Sequence, residues 1–274
     1  MNRTTFILFF ACGLLAVVFF GLLELSLYLR NQQDAPLSKA PEHGTEFIVE
    51  ADLSQSPGMT NLVPVEKALD KRFSHLGLRA FVEPTSASRL RIVLPATESN
   101  DVDSVHQTIT RRGFLEFRLV SDQSDDIIQK NEPIPAGYEM MQSLQMVPGQ
   151  QSHERLVVST QTADGLAGNL VQSAYVAPDN LGNPQICFQL TPDAATRFGQ
   201  VTTQYAPDKT TGAAHRLAII MDGGLYSAPR ILDPITGGSC MMAGNFTDAE
   251  AYHLAQVLNS PLPVPLTIVQ TNSF

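Results

Sequence analysis

The six histidines, at positions 43, 75, 106, 153, 215 and 253, are the obvious candidates for chemistry, and no two of them stand at a metal-ligand spacing. His253 falls in a helical pattern beside Ala249 with no acidic or histidine partner four residues on, so surface or satisfied structural roles are expected for all six. No nucleophile-elbow motif surrounds any serine. Asp122, Asp125 and Asp126 form an acidic run in a stretch read as a solvated loop; a calcium loop needs a central Gly and a closing Glu that are missing. Cysteines at 12, 187 and 240 are too few for a disulfide framework, and whether Cys187 and Cys240 pair is left open. Met140, Met141 and Met146 are a different kind of candidate: thioethers suit adaptable contact with varied apolar chains, with core filling or loop disorder as the alternative. No phosphate-binding or dinucleotide fingerprint is present, because Gly237-Gly238 lacks the lysine and the strand-to-helix setting such loops need. The residues therefore imply no catalytic group, no metal and no cofactor.

The elements that would position these residues follow from periodicity. Phe47-Ile48-Val49 opens a strand, and Val65, Leu69, Phe73 and Leu76 then recur at helical spacing, with Pro64 near the first turn and Gly77 at the end. Strands are expected at 79–83 and 90–94, and a second helix carries Val105 and Ile109 up to Gly113. Phe114-Leu115-Glu116-Phe117-Arg118-Leu119-Val120 is a strongly β-prone strand. Strand, helix, strand, strand, helix, strand is the ferredoxin-like order, with both helices on one face of an open sheet.

Residues 121–131 are polar, and a region rich in Pro, Met and Gln runs on to 152, which reads as the way into a second subdomain of low local order. Within that subdomain the pattern predicts a strand at 155–159, a helical turn at 166–173 and a strand at 186–190. Thr191-Pro192-Asp193 starts a helix with Thr as its cap, and Asp222-Gly223-Gly224 joins a hairpin, since Asp-Gly tolerates positive φ. Thr247 and Glu250 form a capping box ahead of Ala251, Leu254, Ala255 and Leu258. That helix and the strand at 264–269 are expected to return to the first sheet, making the middle an insertion. The class is thus α+β, a ferredoxin-like base with an inserted α+β head.

Residues 6–29 are apolar but for Glu24 and contain no Pro. As a helix they span about 36 Å, enough for a hydrocarbon core of about 30 Å. A cleaved signal would have a shorter apolar region and a small-x-small site, which Ser26-Leu27-Tyr28-Leu29-Arg30 does not offer. A lipoprotein acceptor at Cys12 would leave too short a leader, so a retained membrane anchor is the expectation. Arg3 precedes this run and Arg30 follows it, which leaves orientation unbiased by charge. The net charge of −9, without any Lys/Arg cluster, excludes a nucleic-acid surface.

From Arg216 onward the chain reads Arg216-Leu217-Ala218-Ile219-Ile220-Met221-Asp222-Gly223-Gly224-Leu225-Tyr226-Ser227-Ala228-Pro229, Pro234-Ile235-Thr236-Gly237-Gly238, Gly244-Asn245-Phe246-Thr247 and Leu262-Pro263-Val264-Pro265-Leu266. These residues strongly resemble SecD, the accessory subunit of the bacterial Sec export machinery. Upstream, Leu115-Glu116-Phe117-Arg118-Leu119-Val120, Leu156-Val157-Val158-Ser159 and Cys187-Phe188-Gln189-Leu190-Thr191 match in the same order. The family's opening motif, Gly-Leu-Asp-Leu-x-Gly-Gly, is reduced to His43-Gly44-Thr45.

The resemblance implies a transmembrane anchor at 1–30, a tether at 31–43, a periplasmic base at 44–121 and 247–274, and an inserted head at 122–246. It also implies a cytoplasmic N-terminus, an inner-membrane location, unfolded preprotein as client, and SecF and the SecYEG channel as partners. Because the chain stops at Phe274, where the family's next membrane helix is expected, the proton-conducting half is expected to be missing. Asp222, Gly223, Tyr226, Ser227, Ala228, Pro229, Gly237, Gly238, Gly244, Asn245 and Phe246 are expected to be structural. Met140, Met141 and Met146 are the candidate preprotein contacts. An envelope scaffold that keeps the fold without the export role is the alternative, and an enzyme the third possibility.

Overall fold

The computed structural model describes residues 37–96, 102–146, 153–207, 212 and 214–274. The apolar run at 6–29 lies outside the described residues, and among the described ones no helix is long and apolar enough to cross a membrane.

Alternation of apolar and polar residues makes β1 (Gly44–Ala51) a half-buried strand, and it pairs antiparallel with β3 (Arg89–Pro95) on one side. On the other side it pairs antiparallel with β12 (Leu266–Ser273), while β2 (Phe81–Pro84) flanks β3, giving the order β12-β1-β3-β2. Helices α1 (Val63–His75) and α2 (Val102–Thr110) cover one face, where Leu69, Phe73, Val105 and Ile109 meet Phe47, Ile92 and Leu94. The opposite face carries an ion-pair cluster, in which Arg91 sits between Glu46 and Glu83 and bonds both. Gly44 and Phe274 exchange backbone hydrogen bonds of 3.0 and 3.1 Å, so the chain enters and leaves this sheet at one place.

The strand after α2, β4 (Leu115–Val120), does not join that sheet. It pairs with β6 (His153–Gly168) and β9 (Leu217–Met221), and with β5 (Tyr138–Met146) and β10 (Gly224–Ser227) these close a five-stranded barrel ordered β10-β5-β6-β4-β9. Val120, Leu156, Val158, Ala218, Ile220, Leu225 and Ala228 form one compact core of this unit. The alternate residues of β4 and β9, Leu115, Phe117, Leu217 and Ile219, face the other way into a larger core. That core is shared with a second sheet, β11-β8-β7, built from β7 (Val171–Pro178), β8 (Pro184–Leu190) and β11 (Ser239–Met242), and with α4 (Pro192–Gln204) and α5 (Asp248–Asn259).

Several expectations change. The fourth position of the first sheet is filled by β12, while β4 pairs with β6 and β9 and buries Leu115 and Phe117 in the larger core and Val120 in the barrel core. Helix α5 packs Ala251, Leu254, Ala255 and Leu258 into the larger core against β7 and β8, so the strand that follows it reaches the first sheet and the helix itself does not join that core. The acidic run is not a loop: α3 (Ser124–Lys130) carries Asp125 and Asp126 in its first turn, where the helix dipole favours them. The Met-rich stretch is strand β5, not a segment of low order. Residues 166–173 hold no helical turn; β6 ends there and β7 begins.

Candidate functional site

Two of the signature residues, Asp222 and Tyr226, meet where the first sheet joins the barrel. Asp222 and Gly223 make the β9–β10 turn at φ of 51° and 78°, the left-handed pair that a two-residue hairpin needs. The Asp222 carboxylate then accepts from the amides of Gly113 (3.0 Å) and Phe114 (2.8 Å), while its own amide donates to Phe114 O at 2.9 Å. It thereby fixes the corner at which the chain leaves α2 for the barrel. Tyr226 is buried, stacks on Phe246 at 6.4 Å and accepts from Arg111 Nη1 at 2.6 Å. Burial pushes its phenol up, and Arg111 partly offsets that.

Ala228 lies in the barrel core and the Pro229 carbonyl accepts from Leu217 N. Ser227 Oγ is buried with no partner among the described residues. Gly237 O accepts from Gln189 Nε2, and Gly238 sits at φ 67° so close to α4 that a β-carbon there would stand 2.4 Å from Ala195 Cβ. Gly244 is similarly confined by Gln145 and Phe246, and Asn245 is exposed. These residues shape the joint and the hairpin. None of them forms a reactive constellation.

A residue that sequence reasoning missed organises the same joint. Arg72 on α1 is 1% exposed and donates to four carbonyls: Ser260 (2.7 Å), Thr108 (2.8 Å), Arg111 (2.5 Å) and Arg112 (3.1 Å). Those carbonyls belong to the C-terminal ends of α2 and α5 and the residues just past them, which a helix cannot satisfy itself. Burial lowers the guanidinium to about 10, with Asp222 acting against that, so it stays charged at neutral pH. Arg112 lies 4.6 Å over the Phe114 ring and bonds Pro263 O, tying the same segments again. A lone Arg at a helical position reads as solvated, and nothing in its spacing signals this role.

Beside the joint the surface becomes apolar. Along β5, Tyr138, Met140 and Leu144 are 36%, 43% and 52% exposed, with the exposed Gln142 between the last two and a register shift beyond it. Met141 points the other way and packs in the barrel, and Met146 ends the strand opposite His153. Of the three methionines proposed as contacts, the structure thus presents Met140 outward and uses Met141 as filling. Leu144 borders a cleft of about 260 Å³ lined by Gln107, Arg111, Gln145, Tyr226, Glu250 and His253. Each ionisable group there serves the fold: Arg111 holds Tyr226, Glu250 closes the Thr247 capping box, and His253 Nε2 lies 3.0 Å from Thr108 Oγ1.

Among the described residues no group of three or more His, Cys, Asp and Glu could hold a metal ion. His215 pairs with Asp122 at 2.9 Å on the surface. Cys187 and Cys240 are free thiols on neighbouring strands, one register position apart, so their side chains lie on opposite faces. Burial pushes Cys240 up to about 12.

Comparison with known proteins completes the picture. The family model for the SecDF P1 head subdomain matches residues 141–264. The protein translocase subunit SecDF of Thermus thermophilus is 28% identical over 236 residues, covering 83% of this chain and 30% of its own. The subunit SecD of Aquifex aeolicus is 32% identical over 187 residues, covering 68% and 34%. The chain belongs to the SecD family. This SecD-family chain spans about a third of the length of those relatives. Its structure superimposes on the crystal structure of SecDF in super-membrane-facing form with a TM-score of 0.62 and 25% identity, over 95% of this chain and 35% of that one. A second solved structure, from work on SecDF as a membrane component that enhances protein export, gives a TM-score of 0.59 at 26% identity, over 84% of this chain and all of that one.

Proposed function

We propose that this SecD-family body is an accessory of protein translocation that binds an unfolded polypeptide on the outer side of a membrane, held there by the apolar run at 6–29 as a single span. The observation that carries the reading is the exposure of Tyr138, Met140 and Leu144 along one barrel strand. Exposed apolar side chains that include a flexible thioether suit varied apolar sequences and ask for no catalytic group. The relatives' description as translocase subunits, and of one solved structure as a membrane component that enhances protein export, supports the same role. In this reading β12-β1-β3-β2 with α1 and α2 is a ferredoxin-like base, and the barrel with the second sheet is the head. SecF and the SecYEG channel are its partners in the membrane.

A photo-crosslinker placed at Met140 in the anchored chain tests the proposal against a stalled secreted protein. Lys67, exposed on α1, is the control position. Capture at Met140 above the level at Lys67 is expected, and equal capture at both positions would refute the reading.

A further inference from the structure

The two edges of the sheet β11-β8-β7 are finished differently. On the β7 side the backbone of Ala174 is occupied: its amide donates to Asn259 Oδ1 and its carbonyl accepts from Asn259 Nδ2, both at 2.8 Å. A side-chain amide at the end of α5 thus closes that edge as a strand would. On the β11 side no described residue does the same. Leu190 N donates to Gly238 O, which makes Gly238 and Leu190 a hydrogen-bonded pair. Antiparallel pairing alternates, so Cys240 and Met242 also turn their backbone groups toward β8 while Ser239 and Met241 turn theirs outward. Two donors and two acceptors stand at strand spacing along this edge. Sheet edges are commonly blocked by charge, proline or a bulge, and Ser239-Cys240-Met241-Met242 has none of these.

The side chains match. Met241 pairs with Cys187 and Cys187 with Tyr175, so the three form one row across the outer face, with Tyr175 61% and Met241 56% exposed. The neighbouring row, Ser239, Gln189 and Ser173, carries no charge. A strand added beside β11 would place an apolar side chain next to Met241 as the fourth member of the row, and polar uncharged ones beside Ser239.

We propose that β11 is a strand-addition site, where an extended, uncharged segment of a client polypeptide pairs its backbone with Ser239 and Met241. The inference rests on the reading of this body as a binder of unfolded chains, and it assigns the mode and the place. Backbone pairing explains how one site accepts many sequences, because every extended segment carries the same ladder while side-chain preference is confined to alternate positions.

The test uses the full chain and a fluorophore-labelled, end-capped peptide of alternating threonine and valine, followed by anisotropy. Met241→Pro removes an amide that points away from β8 and leaves the β8 ladder intact, whereas Met241→Ala removes the side chain and keeps the amide. Binding about tenfold weaker for Met241→Pro than for Met241→Ala is expected. The same peptide methylated at alternate amide nitrogens should bind the unmodified chain about tenfold more weakly, an arm that needs no variant to fold. Equal binding of the two peptides, equal binding by the two variants once circular dichroism shows both folded, or no binding at all would overturn the proposal. So would self-association through this edge, seen as a dimer that Met241→Pro abolishes without any peptide binding. Capture of client at Met140 combined with a negative peptide result refutes the edge and leaves the broader reading standing; failure of both removes the broader reading too.

Discussion

Replacing Arg72 by methionine keeps most of the side-chain volume and deletes every donor that reaches the four carbonyls. Those of Ser260 and Thr108 are bonded in a buried setting, and those of Arg111 and Arg112 are only partly buried, where water can replace the guanidinium. Two acceptors left unsatisfied in the interior cost about 1–3 kcal/mol each. Relief of the guanidinium's own burial offsets part of that. The expected net loss is about 3 kcal/mol, or roughly 6–12 °C in Tm for a body of this size.

Arg89→Met is the control, because Arg89 is half exposed and among the described residues its one ion pair is with Glu50 at 3.4 Å; its loss should stay below about 0.5 kcal/mol. Urea unfolding followed by far-UV circular dichroism measures both. The pH dependence adds a second check. The folded value of Arg72, about 10, lies below that of a free guanidinium, so the unfolded chain binds more protons only above the folded value, and wild-type stability from this group should rise only above about pH 10. The difference between Arg72→Met and wild type should therefore be the same at pH 6 and pH 8. A loss equal to that of Arg89→Met would refute the assignment of Arg72 as the tie between α1, α2 and α5.

Two other substitutions probe the same region. Asp222→Ala removes the acceptor for Gly113 and Phe114 and puts alanine at φ 51°, so about 2–4 kcal/mol should be lost, with faster amide exchange at both residues. Asp222→Asn, which tolerates that φ and keeps one acceptor, should cost about 1 kcal/mol. On α1, Asp70 is raised to about 6 from 3.8, first by burial and then by Glu66 one turn away. Its ionisation therefore weakens the folded state as pH rises from about 4 to about 6, with no further change above. Because the group is half exposed, Asp70→Asn should gain only about 0.5–1 kcal/mol at pH 7.5 and nothing at pH 4, as read from thermal melts.

Local chemistry was the most legible part of the sequence. The Thr247–Glu250 capping box, the Thr191 cap and the Asp222-Gly223 hairpin are short-range bargains between a side chain and its own backbone, and each is present. What could not be read was the choice of partner. The composition of β4 declares a strand, but whether it pairs with β1 or with β6 and β9 depends on contacts distant in sequence. Strand β6 was read only over 155–159, and its second half escaped for a local reason: Asp164, Gly165 and Gly168 take positive φ within it, and the register shifts against β4 break the alternation that marks a strand. Among the Pro, Met and Gln residues near 140 composition suggested low order, while Met141 was needed inside the barrel. The candidate surface was half legible, since Met140 faces outward and its neighbours Tyr138 and Leu144 were not singled out.

The bond pair between Gly44 and Phe274 has a mechanical consequence. Strands β1 and β12 are antiparallel, and these two residues are the paired ends of their ladder. A pull transmitted through residues 44 and 274 in opposite directions does not slide the strands past each other against all their bonds together. It peels them apart one pair at a time, the weak direction for a β-ladder, until it meets the register shift between Ile48 and Val49. Tension at this point would open the first half of the seam before it disturbs the helices beneath.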